Sequence, residues 1–155
     1  MERLRYVDDT AFTLADDAAT LARIVRTVPA ERLRAKTFGE WTTVEVIGHV
    51  ADMAEVFAER VRRIASEDRP RLASVDQDTL AAERRNNERE PIELARRVQV
   101  AHGEIVRILT TFGNRSRLGE HDEMGEVDAA HLAGYQARHA HEHVSELASA
   151  FPPDR

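Results

Sequence analysis

Pro29, Pro70, Pro91, Pro152 and Pro153 divide the chain, and in the stretches they bound apolar residues recur every three or four positions, the period of one helical face. The first stretch runs from Thr10 to Val28, with Phe12, Ala15, Ala18, Ala22 and Val25 on one stripe widened by Leu14, Leu21, Ile24 and Val28. Pro29 stops it, because proline disfavours helical geometry in the preceding residue and lacks a donor of its own. The second stretch opens at Thr42 and Glu45, which fit a capping box, with Trp41 and Val46 at the staple positions around it. Val44, Ile47, Ala51, Ala54, Ala58, Val61 and Ala65 carry this helix to about Glu67. Pro91 suits a first helical position, and Ile92, Ala95, Val98, Ala101, Ile105, Ile108 and Leu109 give a third helix ending near Phe112 and Gly113. A fourth starts near Glu126 to Asp128 and lasts until Pro152.

Helices with one apolar face each must pack against one another, which predicts an all-α fold: a four-helix bundle with a long connection between helices 2 and 3. That connection, residues 68–90, is polar, has turn-forming Asn86 and Asn87, and shows a helical hint only at Asp78 to Arg84. Its length suits a crossover between helices that are not hairpin neighbours, and equally a partly mobile loop. Asn114 to Gly125 reads as a polar loop, and no strand-like alternation stands out.

The 155 residues fit one domain over 1–155, with 42% hydrophobic and 32% charged residues and few Gly or Pro. A formal charge of -6 argues against nucleic-acid backbones and anionic lipid as partners. There is no cysteine, so disulfides, thiolate ligands and a cysteine nucleophile are excluded. MERLRYVDDT lacks a signal peptide's apolar run and no segment is long enough to span a bilayer, so the expected location is cytoplasmic.

Three of the seven histidines crowd into the fourth helix as His139, His141 and His143. Residues four apart stand on one face, so His139 and His143 can share a ligand while His141 points away. That pair follows the stripe of Leu132 and Tyr135, and His49 follows a stripe with Val46, Met53 and Phe57. Three neutral imidazoles converging from two helices would form a His₃ set for zinc or a similar metal, with a coordination position left open. Spacing alone leaves the plainer reading standing: an interior histidine is commonly a hydrogen-bonded core residue, and an i, i+4 pair can be solvated. Neither the His-Glu-x-x-His motif nor a Glu-x-x-His pair is present; Ser145 stands where the former needs its second ligand.

The stretch WTTVEVIGHVAD resembles the signature of the DinB/YfiT-like family, in which a Trp, a helix start and a His followed by a small-apolar-Asp run open the second helix. The stretch GEVDAAHLAGYQARHAHEHVSEL is similar to that family's closing element with His-x-x-x-His, although Glu142-His143 stands where consecutive histidines are frequent. The resemblance implies one divalent metal ion, zinc or nickel foremost, held by His49, His139 and His143. It also implies a small-molecule substrate and, as some members show, thiol transfer or isomerisation with an external low-molecular-weight thiol. Metal-dependent hydrolysis is the alternative within enzymes, and a non-catalytic ligand-binding or stress-response module the alternative outside them. A homodimer paired through an apolar helix face is a further candidate, without assigned residues. Asp52 is placed to fix the outer nitrogen of an imidazole or to serve as an interhelix polar residue. Glu142 and Glu146 flank the histidine pair and could hydrogen-bond its rings or carry protons, with a solvated face the first expectation for each. His102, His121, His131 and His141 are expected on the surface or in loops without a role.

Overall fold

The computed structural model describes residues 8–112 and 117–154. The expected end of the third helix at Gly113 and the beginning of the polar loop, residues 114–116, lie outside them. Four long helices, α1 (Asp8–Thr27), α3 (Thr43–Ser66), α5 (Pro91–Thr111) and α6 (Ala129–Ala150), form the bundle, with short helices α2 (Ala30–Ala35) and α4 (Gln77–Arg84) in the connections. No helix among the described residues is long and apolar enough to cross a membrane.

Local chemistry accounts for the helix ends. Thr42 and Glu45 close the capping box at the head of α3, with Glu45 N donating to Thr42 Oγ1 at 3.2 Å and Thr42 N to Glu45 Oε1 at 3.1 Å. Asp128 caps α6 through the His131 amide, and Asp76 caps α4 through that of Thr79.

Around the bundle α3 packs against α5 and α6, and α1 packs against the same two helices, leaving α1 diagonal to α3 and α5 nearly so to α6. This corrects the crossover expected of the long connection. Residues 68–90 join α3 to α5, the most intimately packed pair; the diagonal steps are made instead by the short α1–α3 segment and by the segment before α6.

Among the described residues five short strands depart from the expected all-helical reading, although helices still make up the body of the fold. The hairpin β1 (Thr37–Phe38) and β2 (Trp41–Thr42) turns at Gly39, whose φ of +61° is available to glycine without strain. Further along, β3 (Arg71–Leu72) pairs in parallel with β4 (Leu118–His121), and β4 pairs antiparallel with β5 (Gly125–Asp128). The expected loop is therefore largely a hairpin, and Glu126 belongs to β5 rather than to α6.

The apolar core falls into two clusters. One contains Leu14, Phe57, Val61, Ile105, Leu109 and Leu132; the other contains Leu21, Ile24, Ile47, Leu94, Val144 and Leu147. The break between them falls at 14–18 on α1, 51–53 on α3, 98–101 on α5 and 137–140 on α6. Buried Asp17, His49, Asp52, His102 and Gln136 lie at or beside this break. A polar layer thus crosses the middle of the bundle, where each polar group needs a partner.

Candidate metal centre

His49 sits two turns inside α3, and His139 and His143 occupy successive turns of α6. Helix packing brings the three rings edge to face, with centroids 4.9 Å apart for His49 and His139, 5.1 Å for His49 and His143, and 4.8 Å for His139 and His143. One nitrogen from each lies within 4.8 Å of the other two, and His49 Nε2 is 3.1 Å from His139 Nε2. Trp41 lies over His49 with ring centroids 4.8 Å apart, so the segment before the capping box shields one side of the trio.

The protonation state suits cation binding. Burial first, then the neighbouring imidazoles, lowers His49 to about 3; burial and then His143 lower His139 to about 4. Burial also lowers His143, while Glu146 and Glu142 act in the opposite sense. Three neutral imidazoles near pH 7 are ready ligands.

Polar accounting within the trio also fits an ion. Between two facing Nε2 atoms only one proton can be shared, so at least one lone pair there is turned toward the centre of the trio and available to an ion. Nitrogens on one tetrahedral zinc stand roughly 3.4 Å apart, so the widest pair, within 4.8 Å, must close by about 1.4 Å, a distance that side-chain rotation can cover. The donor set therefore fits a borderline divalent ion.

Asp52 does not orient an imidazole. Its carboxylate accepts from Asn86 Nδ2 at 3.0 Å and from an Arg97 Nη2 at 2.7 Å, with Arg84 at 3.8 Å, so it binds α3 to the connection and to α5. Glu142 and Glu146 are exposed, as expected. His141 is turned from the trio to Asp17 of α1, with Nδ1 3.1 Å from the carboxylate.

Three histidines expected on the surface are instead buried. His102 bridges helices, its Nδ1 donating to the Leu14 carbonyl at 2.8 Å and its Nε2 meeting Gln136 at 3.1 Å. His131 is buried in the first turn of α6, and His121 is buried in β4. The unrecognised β-hairpin hid His121; His102 shows its signal in the sequence, standing one residue from Ala101 beside the apolar stripe of α5.

A cleft of about 190 Å³ opens one helical turn from the trio, where Met53 follows His49 by four residues and Tyr135 precedes His139 by four. Phe57 and Tyr135 stack on one another in its wall with centroids 5.3 Å apart, and Arg60 and His121 also line it. Arg60 escaped the sequence reading although it stands at the next position of the His49, Met53 and Phe57 stripe.

A four-helix bundle with three histidines gathered from two of its helices is the class of protein that fold and site define. The chain belongs to the DinB superfamily, whose family model matches residues 13–147. Its fold is similar to that of YfiT from Bacillus subtilis, a probable metal-dependent hydrolase with an unusual four-helix bundle topology, at a TM-score of 0.81 and 19% identity, covering 99% of this chain and 94% of that one. No curated protein matches the sequence.

Proposed function

We propose that His49, His139 and His143 hold one divalent metal ion and that the chain is a metal-dependent enzyme transferring an external low-molecular-weight thiol to a small electrophilic substrate. The observation that carries this reading is the convergence of three neutral, half-buried to buried imidazoles with their nitrogens within 4.8 Å of one another. Bound there, a zinc or nickel ion supplies Lewis acidity that lowers the pKa of a thiol or water at an open position.

The protein's own part is to keep the imidazoles unprotonated, to hold His139 and His143 on one face of a rigid helix, and to cover His49 with Trp41. Among the described residues no carboxylate joins the three histidines, because Asp52 is committed to Asn86 and Arg97. An external thiol, with a pKa of roughly 8.5, is partly ionised near neutral pH even before it meets the ion, whereas water depends on the ion alone for its activation, and this favours thiol transfer.

Hydrolysis is the second reading, supported by the likeness to YfiT. Zinc-loaded protein assayed with N-acetylcysteine and chlorodinitrobenzene should consume the thiol faster than free zinc does, and His49→Ala should abolish the excess. Cleavage of p-nitrophenyl acetate with no thiol effect would replace thiol transfer by hydrolysis.

A further inference from the structure

Arg60 is only 7% exposed, yet it forms no ion pair among the described residues. Its Nη2 donates to the Ala73 carbonyl at 2.7 Å, and the guanidinium carbon lies 5.1 Å from the Phe57 ring centroid. A guanidinium offers five N–H donors in a flat fork, so most of it is left for the cleft that Arg60 lines. Asp122 and Glu59 attract it from a distance, but Asp122 is engaged by the amide and hydroxyl of Ser74. A cation withdrawn from water without a paired anion is costly unless something else supplies that charge.

A second donor lines the same cleft. His121 Nδ1 accepts from the amides of Glu123 and Met124, both at 3.1 Å, so the neutral ring carries its proton on Nε2. Met53, Phe57 and Tyr135 also line the cleft, and Met53 and Tyr135 each stand one helical turn from a histidine of the trio.

We propose that Arg60 anchors a carboxylate of the substrate, assisted by His121 Nε2–H, so that the substrate class is a monocarboxylate with its reactive group at the histidine trio. This rests on the trio being the reactive centre. Eleven residues of α3 separate His49 from Arg60, a rise of about 16 Å. The arginine side chain leans back toward the helix N-terminus, which leaves a span of roughly 10 Å between anchor and trio. A monoanion suits one guanidinium better than a phosphate dianion does, because exposed Glu123 also lines the cleft.

The test follows labelled methionine methyl groups by NMR, since Met53 and Met124 both line the cleft. Hexanoate, hexanamide and hexylphosphonate are titrated into wild type, Arg60→Gln, Arg60→Lys and His49→Ala, with metal content measured on each sample. Hexanoate should shift both methyls and bind roughly tenfold or more tightly than hexanamide, the usual scale for a charge-assisted pair. Arg60→Gln should erase that preference, and Arg60→Lys should keep part of it, which also guards against a variant that fails to fold. The preference should survive His49→Ala, so a missing metal would sink the proposed chemistry while leaving the anchor standing. Equal binding of acid and amide, a preference lost with His49 rather than with Arg60, or tighter binding of hexylphosphonate would each overturn the assignment.

Discussion

Replacing Gly48 by alanine separates two opposed effects within one methyl group. An alanine at a helix interior gains about 1 kcal/mol in intrinsic propensity over glycine, so a site open to solvent would become more stable. At Gly48 an added Cβ would stand 2.2 Å from Asn86 Cγ and 2.5 Å from Asn86 Nδ2. Asn86 is buried and held by its hydrogen bond to Asp52, at 3.0 Å. Relieving the clash requires a shift of more than 1 Å, which breaks that bond. Overpacking costs about 1–3 kcal/mol and loss of a bond to a buried charge about 1.5–3 kcal/mol. Less the propensity gain, the expected net loss is about 1.5–5 kcal/mol, a fall in Tm of roughly 3–20 °C for a chain of this size. Urea unfolding of wild type, Gly48→Ala, Asn86→Gly and the double variant measures the coupling directly. Removing the Asn86 side chain should turn Gly48→Ala from a loss into a gain of up to about 1 kcal/mol. Stabilisation by the single change would refute the reasoning, since propensity would then outweigh the contact.

The metal-free protein should lose stability as pH falls below about 6.5. His49, lowered to about 3, His139, lowered to about 4, and buried His102 stay neutral in the fold but take up protons when unfolded. The unfolded state then binds more protons, so the unfolding free energy rises with pH across roughly 3 to 6.5 and levels off above it; urea midpoints in that window check the sign, and a flat profile would contradict it. Arg97→Met leaves the Asp52 carboxylate with Asn86 and a distant Arg84, and should destabilise the fold by about 2–3 kcal/mol, discounted for the partial exposure of Arg97. Asp52→Asn combined with Arg97→Met should recover part of that loss in the same denaturation assay, because no unpaired buried charge remains.

Legibility in the sequence followed the strength of the periodic signal. The four long helices and the Thr42–Glu45 capping box were readable because their stripes run through many turns and proline limits them. So was the pairing of His139 with His143 and the exclusion of His141, which are consequences of helical pitch alone. The strands around Arg71 and Leu118 were not readable, since they are two to four residues long and β3 exists only by pairing across 49 positions. Missing them hid His121. The contacts of Asp52 were not legible either, because Asn86 and Arg97 reach it from a connection and a helix whose positions only packing decides.

The most direct test of the account is metal content per chain by elemental mass spectrometry, on protein purified without a histidine tag, for wild type, His49→Ala, His139→Ala and His143→Ala. The expected result is about one zinc or nickel per wild-type chain, lost in each variant while circular dichroism stays helical. Wild-type protein that remains folded and takes up no metal after incubation with zinc and nickel would contradict it, and would leave three histidines that only pack.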